Sequence, residues 1–170
     1  MNTEADRIVL MHPEPEHAAA IAQLVRASPP LDANSDYAYL LLCSHFRQTC
    51  TVALADGAVV GAATGYRRPD AEATLFIWQL AVAAAWRGRG LGRCLVARML
   101  GRCPWAAILE TTVTASNNAS LAVFQGLARR MDAPLERLPA YASALFGDPT
   151  HQEELLLRIG PFTLTPESFR

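Results

Sequence analysis

Within residues 74–92, Leu75, Phe76, Ile77, Trp78, Leu80 and Val82 form an apolar run of strand-forming residues interrupted only by Gln79, and the glycine-rich stretch that follows opens into a helical pattern. In LGRCLVARMLGRC, Leu91, Leu95 and Met99 recur at spacings of four, with Val96 and Leu100 beside them, while Arg93, Arg98 and Arg102 are free to face water. Earlier in the chain, residues 51–55 and 58–66 flank Asp56-Gly57, which predicts a hairpin of two antiparallel strands. His12-Pro13-Glu14 opens a helix through Ala18, Ile21, Leu24 and Val25, and Ser28-Pro29-Pro30 ends it. Asp32, Asn34, Ser35 and Asp36 offer caps for a second helix over residues 37–46. Beyond the glycine-rich segment, residues 106–113 read as a strand, TASNN as a turn, and Leu121, Phe124 and Leu127 as one face of a helix. Residues 155–159 read as a last strand. Residues 131–152, with Pro134, Pro139, Gly147 and Pro149, read mostly as loop. The alternation of helices and strands implies an α/β (α+β) chain built on one central sheet flanked by helices.

A length of 170 residues suits a single domain spanning 1–170 with an adequate core. The 15 basic and 16 acidic side chains leave a net charge of −1, and no basic block stands apart from the glycine-rich segment, which argues against nucleic acid as a partner. Cys43, Cys50, Cys94 and Cys103 lack zinc-ligand or C-x-x-C spacing, so reduced thiols and no metal are expected. Glu4 and Asp6 stand where a signal peptide would be apolar, and no segment approaches the ~20 apolar residues of a bilayer span, so a cytoplasmic protein without a membrane partner is expected.

The glycine-rich segment carries the chemistry. Glycines at 88, 90 and 92 let backbone amides approach an anion at a helix start, and Arg87, Arg89 and Arg93 add positive charge. Neither G-x-G-x-x-G in a dinucleotide-binding unit nor G-x-x-x-x-G-K-[ST] is present. Arg87-x-x-Gly90-x-Gly92 after a strand resembles the cofactor motif of the GNAT superfamily of N-acetyltransferases. That resemblance implies acetyl-coenzyme A as co-substrate and a mixed, mostly antiparallel sheet splayed at the cofactor site. It further implies that backbone groups of Leu80, Ala81 and Val82 pair with the pantetheine arm, and that Arg87, Gly88, Arg89, Gly90, Leu91, Gly92 and Arg93 surround the pyrophosphate. The superfamily's N-x-x-A-x-x-x-Y helix appears as Asn117 to Phe124, with serine for alanine and phenylalanine for tyrosine. Phe124 cannot protonate a departing thiolate. Tyr39, Tyr66 or Tyr141 could, or the thiolate leaves unaided.

Longer strings, LDANSDYAYLLLCSHF, GYRRPDAEATLFIWQLAV, LETTVTASNNAS and HQEELLLRIGP, are similar to the L-2,4-diaminobutyrate acetyltransferases of ectoine biosynthesis, from about Leu31 to Phe162. The resemblance implies transfer of acetyl to the γ-amine by direct attack in a ternary complex, and a homodimer. An alkyl amine of pKa ~10.4 is a free nucleophile in about one molecule in a few thousand at pH 7, so the site must remove a proton. Glu110, on the strand before Asn117, is the candidate base or ammonium anchor, its alternative being a solvated strand glutamate. His151 is a second candidate base or carboxylate contact. Asp32 can serve as amine ligand or helix cap, and Trp78 as cavity wall or core residue. Asn34 and Tyr39 are secondary pocket candidates from the same resemblance. An acetyltransferase for another small amine, such as a polyamine or an aminoglycoside, and a non-catalytic acyl-coenzyme A sensor remain open on the sequence.

Overall fold

The computed structural model describes residues 7–148 and 150–164, so the expectations placed on Glu4, Asp6 and Pro149 lie outside the described residues. The strands are β1 (Ile8–Met11), β2 (Thr51–Ala55), β3 (Ala58–Arg67), β4 (Thr74–Val82), β5 (Ile108–Thr114), β6 (Leu135–Tyr141) and β7 (Glu154–Ile159). The helices are α1 (Ala18–Arg26), α2 (Asp36–Ser44), α3 (Leu91–Leu100) and α4 (Asn118–Arg130). One sheet holds the strands in the order β1-β2-β3-β4-β5-β7-β6, with β4 and β5 parallel and every other pair antiparallel.

Alternation along the strands sends successive side chains to opposite faces, and each face buries a different helix pair. Val52, Ala62 and Ala81 pack with Ile21, Val25, Tyr39 and Leu42 of α1 and α2. Ala53, Ala63 and Ile77 pack with Leu95, Met99 and Leu127 of α3 and α4. Of the cap candidates before α2, Ser35 takes the position, its hydroxyl accepting from the Ala38 N–H at 3.2 Å.

Two strands escape the periodicity reading. The four residues of β1 are a run too short to show a period, and the first helix begins at Ala18 after a 3₁₀ turn over Pro15–His17. Strand β6 falls in the segment read as loop because of Pro139. It is an edge strand paired only with β7, with a register shift between Pro139 and Tyr141, and an edge tolerates the missing proline N–H.

The parting of β4 from β5 positions the site. The two strands pair only from Thr74 with Ile108 to Ile77 with Thr111, although β4 continues to Val82 and β5 to Thr114. At that point Gly65 of β3 faces Ile77 and Thr64 faces Gln79, so Trp78 is the extra residue of a bulge. Glycine is needed opposite, since a Cβ on residue 65 would lie 2.3 Å from the Phe76 carbonyl oxygen. The bulge reverses the facing of the strand: Ile77 belongs to the α3/α4 core and Ala81 to the α1/α2 core. The Thr111 hydroxyl donates to the Ile77 carbonyl at 3.0 Å, satisfying the last buried acceptor before the strands separate.

Glu110 lies below this parting, not at it. It pairs with Phe76 on β4 and Arg158 on β7, its side chain is fully buried, and its two oxygens accept from Arg68 at 2.7 Å and Arg158 at 2.5 Å. Both oxygens are engaged by guanidinium groups, so Glu110 is a structural ion-pair centre and not the expected base or ammonium anchor. Replacing Glu110 with leucine leaves Arg158 without this carboxylate and Arg68 with Asp70 alone. The expected loss is about 2–3 kcal/mol, below that of a fully buried pair because both arginines keep partial contact with water, and chemical denaturation measures it.

Candidate active site

Two clefts open on the parting of β4 and β5. The first, about 510 Å³, runs between Leu80–Val82 of β4, the glycine-rich segment, the start of α3 and the Ala119, Ser120 and Val123 face of α4. Gly88 (φ 75°) and Gly90 (φ 79°) adopt left-handed conformations that favour glycine, and Gly90 caps α3. The first amides of α3 lack intrahelical partners and, with the helix dipole, face an anion favourably. The Arg87 side chain braces the mouth, donating to the Val82 carbonyl at 2.9 Å and the Ser28 hydroxyl at 3.2 Å.

The Ala83 N–H donates to the Val60 carbonyl on β3. By strand alternation, Ala81 turns its backbone groups to β3, whereas Leu80 and Val82 turn theirs to the gap left by β5, where the Val82 carbonyl already accepts from Arg87. This free edge beside an anion-binding helix start fits a long ligand with an amide-bearing arm and a pyrophosphate, as coenzyme A is. Leu80, Ala81, Val82, Arg87, Gly88, Gly90, Leu91, Gly92, Arg93 and Asn117 all line this cleft. Asn117 also caps α4, its side chain accepting from the Ser120 N–H at 3.1 Å.

Two expectations for this cleft do not hold. Arg89 does not line it; its guanidinium lies 5.0 Å above the Trp86 ring. Phe124 is 2% exposed and packs into the α3/α4 core, because the α4 face that meets the cleft carries Ser120 and Val123 instead.

The second cleft, about 380 Å³, lies on the α1/α2 side of the sheet beyond the helices' cover, and it shares Pro30, Leu31 and Asn117 with the first. Its aromatic wall is Tyr66, Phe76, Trp78, Tyr141 and Phe146, with Trp78 edge-on to Tyr66 at 6.5 Å. Its charged lining residues are Asp32 and Glu154. His151 bridges two of the walls: its ring stacks on Phe146 at 3.6 Å and Nε2 lies 2.9 Å from the Asp32 carboxylate. Nδ1 faces the Gln152 carbonyl at 2.6 Å. Both ring nitrogens meet acceptors, which favours the imidazolium. The His151 pKa is raised, first by Asp32 and then by Gln152.

Of the expected acceptor residues, the structure brings Asp32, Asn34, Trp78 and His151 together, and leaves out Glu110 and Tyr39. Tyr39 is completely buried in the α1/α2 core, where its hydroxyl accepts from the Asn34 N–H at 3.2 Å and so shapes the loop without touching the cavity. Tyr66 and Tyr141 do line the cavity. Burial, then Tyr141, raises the Tyr66 pKa and keeps its phenol protonated at neutral pH. Glu154 was not anticipated. Its signal was the period of two on β7, where Glu154 sits opposite Thr114 and shares a face with Arg158.

The buried thiols line neither cleft. Burial pushes Cys43 and Cys103 up to about 11 and Cys50 up to about 12, leaving a thiolate fraction on the order of 10⁻⁴ or less at pH 7. Among the described residues no group of three or more His, Cys, Asp or Glu side chains could hold a metal ion.

Comparison with known proteins agrees with this geometry. The acetyltransferase (GNAT) family model matches residues 18–128. The L-2,4-diaminobutyric acid acetyltransferase of Bordetella parapertussis is 44% identical over 163 residues, 94% of this chain and 88% of the relative. That of Halomonas elongata is 43% identical over 162 residues, covering 94% and 84%. The solved structure of diaminobutyrate acetyltransferase EctA from Paenibacillus lautus, in complex with L-2,4-diaminobutyric acid and coenzyme A, superposes with a TM-score of 0.90 at 34% identity, covering 95% of this chain and 99% of that one. The chain belongs to the GNAT acetyltransferases and, within them, to the L-2,4-diaminobutyric acid acetyltransferases.

Proposed function

We propose that the two joined clefts carry out acetyl transfer from acetyl-coenzyme A to the γ-amine of L-2,4-diaminobutyrate, the acetylation step of ectoine biosynthesis. The observation that carries this reading is the shared wall: an anion-binding cleft and a dicarboxylate, aromatic cleft meet where β4 loses its partner. Diaminobutyrate brings two ammonium groups and one carboxylate. Asp32 and Glu154 supply counter-charges for the ammoniums and Trp78 a π-face, while His151 is either the partner of the carboxylate as imidazolium or, when neutral, the proton acceptor.

Acetyl-coenzyme A supplies an activated acetyl group as a thioester. The free edge at Leu80 and Val82 aligns its arm and offers N–H donors to the carbonyl oxygen as negative charge builds there. The amine nitrogen forms the new bond to the acetyl carbon, the carbon–sulfur bond breaks with its electron pair leaving on sulfur, and the ammonium's proton passes to His151 or water. Holding both reactants in one channel supplies a large part of the rate. With every buried thiol protonated, direct transfer is favoured over an acetyl-cysteine route. A cytoplasmic homodimer belongs to the same proposal, the mass in solution being its check.

Coenzyme A release should be fast with diaminobutyrate, and NMR should place acetyl on the γ-nitrogen. Ornithine, one methylene longer, should lose about 10-fold or more in kcat/KM, and putrescine, without a carboxylate, still more. Equal rates with putrescine would overturn the substrate assignment.

Because Asp32 raises its pKa, His151 should titrate above the ordinary 6.5, and in Asp32→Asn it should fall back toward that value, as read by imidazole NMR. Only neutral imidazole takes a proton, so kcat/KM should rise with pH through the raised value. An unaltered low-pH limb in His151→Gln would remove His151 from the proton path.

Gly90→Val places a β-branched side chain at φ 79°, 3.4 Å from the Arg93 guanidinium at its Cβ. Calorimetry should show acetyl-coenzyme A binding weakened by more than about 10-fold, given the strain of a β-branched residue there.

A further inference from the structure

Gln79 is the lone polar residue between Leu75 and Val82, and the fold gives it an unfinished set of hydrogen bonds. It is 7% exposed and lines the acceptor cleft. Its Nε2 donates to the Asp32 backbone carbonyl at 2.6 Å, tying the loop that carries the Asp32 carboxylate to β4. Its Oε1 is buried and has no hydrogen-bond partner among the described residues. A buried amide oxygen left without a donor costs about 1–3 kcal/mol, so its retention calls for a donor that arrives from elsewhere.

Position says which donor. Strand β4 crosses from the acceptor cleft to the cofactor cleft between Gln79 and Leu80: Phe76, Trp78 and Gln79 line the first, and Leu80, Ala81 and Val82 the second. Gln79 is therefore the acceptor-cleft residue of β4 next in the chain to the free edge expected to face the thioester. Building on the function proposed above, we infer that Gln79 is a substrate-contacting residue whose Oε1, closed off in the unliganded cleft, is uncovered as diaminobutyrate enters and accepts a hydrogen bond from the amine to be acetylated, while its Nε2 holds Asp32 in place. The chemistry suits the task. A carboxylate at this point would hold the proton on the amine, whereas a neutral amide oxygen orients an N–H and leaves the lone pair free to meet the acetyl carbon.

A competing explanation is a structural water. The Thr64 hydroxyl, opposite Gln79 in the β3–β4 register, is also buried without a partner, and one water could satisfy both oxygens. Gln79→Met, close in volume and apolar, removes the acceptor and also releases the Asp32 carbonyl, so affinity for L-2-aminobutyrate, which lacks only the γ-amine, is measured beside that for diaminobutyrate and should change much less. Loss of a hydrogen bond to a charged or reacting amine should raise KM for diaminobutyrate by about 10- to 100-fold, with acetyl-coenzyme A affinity held within about 2-fold. An unchanged KM and kcat accompanied only by an altered melting temperature would assign Gln79 to the water and overturn the inference.

Wild-type protein provides the second arm, independent of whether the variant folds. With coenzyme A bound, the side-chain amide resonances of Gln79 should shift on adding diaminobutyrate and shift much less with L-2-aminobutyrate, which lacks the γ-amine. Equal shifts, or none, would overturn the inference. Absence of turnover of diaminobutyrate by the unaltered protein would instead defeat the function itself.

Discussion

The structure depends on a sheet that is not allowed to finish. Parallel pairing of β4 with β5 stops after Ile77 and Thr111, yet both strands run on for several residues. A strand edge exposed in this way is an unmet demand for hydrogen bonds, and in most sheets it invites aggregation. Here the gap is bounded on one side by the start of α3 and on the other by the cap of α4, which limits what can enter to a narrow chain-like ligand. The Trp78 bulge is the local cause, and Gly65 is the condition that permits it.

The same irregularity sorts the side chains. Before the bulge Leu75 and Ile77 feed the α3/α4 core; after it Leu80 and Val82 pack against that core while Gln79 and Ala81 face the other way. One extra residue thus makes a single strand serve as core, acceptor wall and cofactor edge. The chain between α1 and α2 closes the acceptor cleft from above, held by the Gln79 amide on the Asp32 carbonyl and by the Tyr39 hydroxyl at the Asn34 N–H. The segment before β7 closes it from the far side, with His151 stacked on Phe146 and reaching Asp32.

Charge is divided by depth. Deep in the sheet, Glu110 is matched by Arg68 and Arg158, each of its oxygens paired with a guanidinium and its side chain buried away from the clefts. Nearer the opening, Asp32 and Glu154 line the cavity against a lone histidine, and their excess negative charge suits a substrate with two ammonium groups. The three carboxylates share a chemical type and differ in what surrounds them, and that difference assigns their roles.

Local information determined much of this protein. The Asp56-Gly57 hairpin, the course of β4, the α3 periodicity and the glycine-rich loop all express backbone sterics and side-chain spacing within a few residues, so they were legible as sequence. Motif likeness carried the cofactor cleft to the same level, except at Phe124 and Arg89, where the face of a helix and a stacking partner decide. Short β1 and proline-bearing β6 were not legible, because their stability comes from neighbours across the sheet. Only the tertiary structure decided which candidates meet in the second cleft. Whether Glu110 is a free base or a matched ion, whether Tyr39 faces cavity or core, and whether Asp32 meets a histidine 119 positions away depend on contacts between distant segments, and no spacing along the chain encodes those.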